Sequence, residues 1–294
     1  MMMQSRTFGD VRISRVLEYG GPTHDPAFLF PDLDQAELGH HAGWLAPNHY
    51  ITAMNKLIIT IQLWIVHAGS NVIIIDTGVG NSKPRGPARM NMLNTLVMPW
   101  LQAAGAGPDD VTHVVQTHLH MDHVGWNTIK VDGRWTPTFP KARYLIPRAD
   151  FIHFREECAN GGNPIIDQSF DDSIMPIVDA GLVDLVENEP EVADCLVPEP
   201  APGHCPGQTL YHLHSGGEEA IFCGDVMHSP LQIVKPELNS TYCSDPELAR
   251  VTRAHLLAGA ADRGAMIFPS HFGAPHCGYV RRQNGGYVFE GAPW

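Results

Sequence analysis

The sequence predicts a layered α/β fold, and three observations support this class. An apolar run at residues 111–116 leads directly into a segment rich in histidine. A helical pattern precedes that run, and short apolar runs alternate with helical patterns along much of the chain. Because α/β sheets keep their reactive side chains at the carboxyl ends of strands, the histidines fall where a site is expected. We therefore predict one domain, residues 1–294.

The first third of the chain contains strands and one long irregular stretch. Residues 11–19 partly alternate between apolar and polar side chains, which predicts a strand. Residues 20–55 show no clean period but contain several aromatic residues, so we predict a loop or ordered flap. This flap lies either over a pocket or at the subunit contact of a homodimer. Apolar runs at 57–66 and 71–75 predict a β-hairpin that ends at Asp76.

The middle of the chain places a helix and a strand before the histidine segment. Apolar residues at a spacing of three or four over residues 88–104 predict an amphipathic helix, which Pro99 should kink or divide. Residues 111–116 then form a short strand. Three elements are predicted after the histidine segment: a strand at 141–146, a helix at 147–157 and, beyond a loop at 158–172, a short helix at 174–180.

The last third of the chain predicts more strands than helices. A capping-box spacing that begins at Ser244, with Pro246 behind it, predicts a helix that continues to about Ala261. The predicted strands are at 183–186, 195–197, 209–214, 220–223 and 265–269, with a terminal hairpin over 278–289.

Composition excludes several classes of protein. A hydrophobic fraction of 44% and a charged fraction of 17% are typical of a globular chain with a large core. No run reaches the ~18 apolar residues of a membrane span, and residues 1–14 contain no apolar signal segment, so we expect a cytoplasmic protein. The net charge of −13 argues against a nucleic-acid partner, although bound cations would offset part of it. Six cysteines without a Cys-x-x-Cys pair indicate thiols and not a disulfide framework.

The histidine segment contains four potential metal ligands within six residues: His118, His120, Asp122 and His123. In an extended segment, side chains two residues apart point to the same side, so His118 and His120 can bind one cation together. Asp122 and His123 follow at a spacing that does not share this geometry, which suggests a second cation. Imidazole and carboxylate ligands without thiolate favour zinc, with manganese or iron as alternatives.

These residues resemble the signature of the metallo-β-lactamase superfamily of metallohydrolases. Further landmarks of that family occur in the expected order: Asp76-Thr77-Gly78, Gly203-His204, Gly224-Asp225 and Ser270-His271. The resemblance extends over residues 57–273. It implies a four-layer αβ/βα sandwich, and it implies that Asp76 supports the metal-ligand loop.

The resemblance also implies a dinuclear centre with two Zn²⁺ ions, or Mn²⁺ or Fe²⁺ in their place. One ion takes His118, His120 and His204, the other takes Asp122, His123 and His271, and Asp225 bridges the two. Such a site lowers the pKa of a bound water to roughly 7, which supplies hydroxide at neutral pH. The implied enzyme is a zinc-dependent hydrolase in which this hydroxide attacks a small lactone, ester or related molecule.

The residue three positions after Asp225 bears on the substrate. Lactonases of the family have Tyr at this position, whereas this chain has His228, which is similar to methyl parathion hydrolase. We predict Asp122 and His228 as catalytic residues, with His228 contacting the substrate oxygen or donating a proton to the leaving group. The alternative is that His228 holds Asp225 or a loop carbonyl.

Two other functions stay open on the sequence. A phosphotriesterase or a hydrolytic dehalogenase would use the same metal site. A mononuclear iron dioxygenase, similar to the persulfide dioxygenases, would use a related ligand set for a different chemistry.

Overall fold

The computed structural model describes residues 2–161, 168–187, 189 and 191–294. The strands are β1 (Met3–Phe8), β2 (Val11–His24), β3 (Tyr50–Ile51), β4 (Lys56–Ala68), β5 (Asn71–Ile75), β6 (His113–Val115), β7 (Thr128–Val131), β8 (Arg134–Pro137), β9 (Arg143–Pro147), β10 (Val183–Val186), β11 (Leu196–Pro200), β12 (Thr209–Ser215), β13 (Glu218–Gly224), β14 (Met266–Pro269), β15 (Gly278–Gln283) and β16 (Gly286–Gly291). The α-helices are α1 (Pro26–Leu29), α2 (Gln35–Leu45), α3 (Val97–Ala103), α4 (Arg148–Ala159), α5 (Met175–Asp179), α6 (Leu231–Val234) and α7 (Pro246–Arg263). A π-helix (Phe170–Ile174) and 3₁₀ turns at Thr52–Met54 and Gly125–Asn127 are also present.

The chain divides into two compact units, each built from segments that are distant in sequence. The first unit comprises Met1–Glu18 and Ile61–Pro198. The second comprises Tyr19–Thr60 and Glu199–Trp294. The single domain expected from the sequence stays a prediction, as does the four-layer order of sheets and helices.

One sheet has eight strands in the order β1-β2-β4-β5-β6-β9-β10, with β3 paired to β4. The predicted hairpin is confirmed, because β4 and β5 pair antiparallel from Trp64 opposite Ile75 to Ala68 opposite Asn71. From β5 onward the pairs are parallel. Parallel strands are buried on both faces, which explains why β5 and β6 are apolar without alternation. The consequence is a strand, β6, that ends directly before the histidine segment.

The second sheet has six strands in chain order, β11 to β16. Only β13 and β14 pair in parallel among the neighbours with a defined register, because α6 and α7 lie between them in the chain. Buried side chains of this sheet, such as Ile221 and Ile267, pack with Leu257 of α7 in one apolar cluster. Strands β13 and β14 therefore end side by side, at Gly224 opposite Pro269, just before Asp225 and His271.

Helix α7 shows how local sequence sets the ends of an element. Asp245 is its N-cap, and its side chain accepts a hydrogen bond from Leu248 N at 3.0 Å. Pro246 occupies the first helical position, where no backbone donor is needed. Gly264 ends the helix with a φ of 66°, a conformation that costs glycine little. The capping-box start is one residue later than the sequence indicated.

Two sequence-based predictions are wrong in detail. Of the helix expected over residues 88–104, only α3 forms. Pro99 can stand in the first turn of a helix but not in its interior, so the helix begins just before it. Part of the loop expected over 158–172 falls in the π-helix, and residues 162–167 lie outside the described part of the chain.

Residues 20–55 are more regular than the sequence indicated. They include α1 and α2, and Asp25 and Asp34 cap these helices by accepting from Ala27 N and Ala36 N. Leu29 and Phe30 are fully buried within an apolar cluster of the second unit. The hydrophobic period was missed because α1 is a single turn and α2 buries only two residues. Within the described residues, no helix has the length and apolarity needed to cross a membrane.

Candidate metal centre

The first unit brings His118 and His120 together, as their spacing predicts. His118 Nε2 lies 3.0 Å from His120 Nδ1, and the His118 side chain is buried. Two nitrogens bound to one zinc at about 2.0–2.1 Å in tetrahedral geometry are separated by about 3.3 Å. The pair therefore already has nearly the separation that a shared ion requires.

The protonation pattern around His118 also fits a metal ligand. The Thr117 hydroxyl donates to Asp76 Oδ2 at 2.7 Å, so its proton is already used. The contact of 3.0 Å between Thr117 Oγ1 and His118 Nδ1 then requires the proton to be on Nδ1. In a neutral imidazole this places the lone pair on Nε2, the atom that faces His120.

Asp76 orients the other half of the segment. Its Oδ2 lies 2.9 Å from His123 Nδ1, and its Oδ1 accepts from Thr117 N at 2.8 Å. A carboxylate behind a metal-binding histidine fixes the tautomer and the ring orientation. The Nε2 atom of His123 lies 3.8 Å from Asp122 Oδ1, so the two predicted ligands of one ion lie together. These contacts are the ones that a residue supporting the predicted ligand loop requires.

Glu18 is a buried residue that no local sequence pattern marks as part of this site. Its carboxylate accepts from Val79 N at 2.6 Å, Gly80 N at 3.1 Å and the Trp126 indole at 2.7 Å. It therefore holds the turn after Asp76 and the turn after the histidine segment. Burial raises the pKa of Glu18 to about 7, against the opposing effect of these hydrogen bonds.

The two turns that Glu18 holds also touch directly. A Cβ atom at Gly125 would lie 1.9 Å from the backbone carbonyl of Val79. Gly125 N donates to Gly78 O at 2.7 Å across this contact. A third buried carboxylate, Asp150 of α4, accepts from Leu119 N at 3.0 Å. No spacing pattern links Glu18 or Asp150 to the ligands, so sequence alone gave no signal for them.

The second unit gathers three imidazoles around Asp225. Oδ2 of Asp225 lies 2.9 Å from His271 Nε2, 3.3 Å from His228 Nε2 and 3.4 Å from His204 Nε2. All four side chains are buried. One carboxylate oxygen surrounded by three ring nitrogens is an arrangement that a cation stabilises.

The backbone at Thr60 fixes the tautomer of His271. His271 Nδ1 lies 2.7 Å from Thr60 O, and a carbonyl oxygen only accepts, so the proton is on Nδ1. Thr60 N and Oγ1 also donate to the carbonyls of His271 and Phe272. In neutral His271 the Nε2 lone pair then points at a carboxylate oxygen. A proton or a metal ion between these two atoms satisfies both, and the imidazole and carboxylate ligand set fits a metal.

His228 lies in this second cluster. Its Nε2 atom, Asp225 and His271 form a group whose ligand atoms lie within 4.8 Å of one another. His228 contacts Asp225, as its alternative role of holding that carboxylate requires. The catalytic roles of Asp122 and His228 stay predictions, as does the division of the seven ligands between two ions.

Among the described residues, none of the side-chain groups that could hold a metal ion includes a cysteine. Cys205 and Cys223 are buried, and burial raises the pKa of the Cys223 thiol far above its usual range. The small apolar role expected for both residues is consistent with this. Among the described residues, which include all six cysteines, no disulfide forms.

Residues 61–271 match the family model of the metallo-beta-lactamase superfamily, and the chain belongs to this superfamily. The expected α/β fold of the metallo-β-lactamase type is confirmed. A comparison with curated proteins gives no significant match.

Solved structures of the same fold resemble the whole chain. The hydrolase AbOPH of the beta lactamase superfamily is 24% identical, with a TM-score of 0.82 over 99% of this chain and 98% of the other. AidC, described as a dizinc quorum-quenching lactonase in complex with a product, is 19% identical, with a TM-score of 0.79 over 99% and 98%. A probable metal-dependent hydrolase from Staphylococcus aureus is 16% identical, with a TM-score of 0.75 over 98% and 100%.

Proposed function

We propose that the protein is a dinuclear zinc-dependent hydrolase that opens a small lactone or cleaves a small ester. The observation that carries the proposal is the environment of Asp225. Three imidazole nitrogens surround one of its oxygens, and the nearest, His271 Nε2, presents a lone pair. Neutral imidazole and carboxylate form the ligand set that zinc prefers in hydrolases, so this arrangement supports a cation site at Asp225.

The choice of substrate class rests on family and on relatives. The structure of AidC contains N-hexanoyl-homoserine, which is the product of its lactonase reaction. The net charge of −13 disfavours a polyanionic substrate, and a lactone or ester is uncharged at its reacting group.

Seven side chains would hold the metals in this proposal: His118, His120, Asp122, His123, His204, Asp225 and His271. Bound zinc supplies Lewis acidity and lowers the pKa of water at the site. The protein keeps the ligands in the state that zinc needs. Asp76 keeps a proton on His123 Nδ1, and the Thr60 carbonyl does so on His271 Nδ1, so each Nε2 can bind.

Metal analysis combined with a substrate panel tests the proposal. We expect close to two zinc ions per chain and hydrolysis of an acyl-homoserine lactone or an aryl ester. His123→Ala in the first unit and His271→Ala in the second should each lose metal and activity. His40→Ala, at an exposed position of α2, is the matched control.

Two results would contradict the proposal. Full hydrolysis by a verified metal-free preparation would remove the metal from the mechanism. Iron in place of zinc, with oxygen uptake on a persulfide, would favour the dioxygenase alternative.

A further inference from the structure

Two exposed aromatic rings of the second unit lie against each other. The rings of Phe28 and Tyr242 are 6.1 Å apart between centroids and meet at 74°. Phe28 is 55% exposed and Tyr242 is 40% exposed. Single exposed apolar side chains are common, but a paired aromatic surface indicates a place where an apolar partner binds.

The backbone under Phe28 is firmly held. Its neighbours Leu29 and Phe30 are fully buried in the apolar cluster of the second unit. Thr241 N donates to Leu29 O at 2.9 Å, which joins the segment before Tyr242 to helix α1. The two rings are therefore presented by fixed backbone, and a ligand that binds them pays little to order them.

His24 fixes the position of Tyr242. Its Nε2 atom lies 3.1 Å from the Tyr242 hydroxyl oxygen, and its Nδ1 lies 2.7 Å from Thr23 Oγ1. The imidazole is buried and stacks near Phe28, at 6.4 Å and 27°. We call Phe28, Tyr242 and His24 the aromatic wall.

The aromatic wall continues to the predicted metal ligands of the same unit. The rings of Tyr242 and His228 are 5.9 Å apart and tilted by 31°. His228 Nε2 is 3.3 Å from Asp225 Oδ2. A molecule whose reacting group lies at Asp225 would extend its non-reacting part along this line of rings toward solvent.

The charges near the wall favour an uncharged occupant. Asp25 precedes α1, and its carboxylate pairs with Lys56 Nζ at 3.6 Å. The two opposite charges offset each other, and the wall itself offers ring faces and edges. Flat aromatic groups match such surfaces through offset or edge-to-face contacts.

We propose that the aromatic wall binds the uncharged aryl group of the substrate. This proposal rests on the proposed function, because it takes the reacting group to lie at Asp225. It adds a specificity site formed by Phe28 and Tyr242, with His24 as the residue that positions the Tyr242 ring.

A binding measurement with 2-naphthol tests the wall without any hydrolysis. This probe is uncharged at neutral pH, and its fluorescence can be titrated against both metal-free and zinc-loaded protein. We expect saturable binding at one site, weakened about tenfold by Phe28→Ala and by Tyr242→Ala, because each loses the burial of one ring. Tyr242→Phe should bind more tightly than Tyr242→Ala, since it keeps the ring.

Val251→Ala is the matched control, because Val251 is 66% exposed on α7 and lies in no proposed site. It should bind 2-naphthol like the unaltered protein, and the melting temperatures of all variants should agree within a few degrees. If the Phe28→Ala and Tyr242→Ala variants bind 2-naphthol as tightly as the unaltered protein, the aromatic wall is not the binding site. Binding of 1-hexanol as tight as that of 2-naphthol would overturn the preference for an aryl group.

The outcomes separate this proposal from the proposed function. If the protein binds 2-naphthol through Phe28 and Tyr242 but hydrolyses no ester or lactone, the aromatic wall is a binding site and the proposed hydrolase activity is wrong. If the protein hydrolyses 2-naphthyl acetate and the Phe28→Ala variant has the same KM, the hydrolase activity is supported and the aromatic wall does not bind the substrate.

Discussion

The two ligand clusters are built in opposite ways. In the first unit, the ligands are consecutive in sequence, and buried carboxylates from other segments, such as Asp76, Glu18 and Asp150, hold the loop that carries them. In the second unit, the predicted ligands come from distant segments, and one carboxylate, Asp225, lies at the centre of the imidazoles. The first cluster depends on its surroundings, whereas the second depends on a single residue.

The largest expected effect follows from the central position of Asp225. Asp225→Ala leaves three imidazole nitrogens without their shared carboxylate, so we expect zinc loss and a fall in kcat/KM of more than about a hundredfold. Substitution of supporting residues alone costs about 10–100-fold, and a direct ligand should cost more. Elemental analysis and ester or lactone hydrolysis measure both effects.

Asp262→Ala is the control for this substitution, because Asp262 pairs with Arg282 at an exposed position. An Asp225→Ala protein that keeps two zinc ions would show that the second cluster does not depend on its carboxylate.

A smaller effect is expected at Asp76, which contacts the predicted ligand His123 and the neighbouring Thr117 but is not itself a predicted ligand. Asp76→Asn keeps the shape of the side chain but removes the charge behind the histidine. We expect zinc affinity to fall about 10–100-fold while the fold is retained. Competition with a chelator of known affinity measures the change, and wild-type affinity in this variant would mean that the first cluster needs no carboxylate support.

The pH dependence of stability tests Glu18 in metal-free protein. The pKa of this carboxyl is raised from 4.5 to about 7 in the folded state, so the folded state binds a proton more tightly than the unfolded state. The free energy of unfolding should therefore fall as pH rises from about 4.5 to 7 and level off above that, by about 3 kcal/mol for this group.

Glu18→Gln removes this ionisation and keeps the size of the side chain. The stability difference between the two proteins, measured by urea unfolding at several pH values, should favour the unaltered protein increasingly as pH falls from 7 to 4.5. A difference that stays constant over this range would mean that Glu18 does not titrate with a raised pKa.

The smallest effect is expected at His212, a histidine of the second unit with two carboxylate partners. Its Nε2 and Nδ1 atoms each lie 2.9 Å from an oxygen, of Glu199 and Glu219 respectively. Burial lowers the pKa of His212, but the hydrogen bonds and charges of the two glutamates outweigh it and raise the pKa overall. Both nitrogens then carry protons, so this imidazole differs from His271 and does not act as a metal ligand.

The raised pKa of His212 determines how its contribution to stability changes with pH. Its contribution to stability is complete below pH 6.5 and is lost as pH rises through the higher folded-state value. His212→Gln should therefore cost stability at pH 6 and cost less at pH 9, with no change in zinc content. A loss of zinc in this variant would remove the distinction between the two kinds of histidine.

Sequence patterns predict some parts of this protein better than others, for physical reasons. The predicted ligands His118 to His123 are recognisable because their spacing alone implies shared geometry. His204, Asp225 and His271 are recognisable only through their order in a family. Neither spacing nor family order identifies Glu18 and Asp150, since a single carboxylate buried by tertiary contacts has no local pattern. Helices α1 and α2 are not recognisable from the sequence, because two buried residues in each give no hydrophobic period.

The contact between Gly125 and Val79 has a consequence for the directed evolution of this enzyme. With a Cβ only 1.9 Å from a backbone carbonyl, any side chain at Gly125 forces the two turns apart. Libraries that randomise these turns will therefore consist mostly of misfolded members. Diversity introduced at exposed positions such as Phe28 and Tyr242 leaves the turns intact, so new substrate preferences should be selected there.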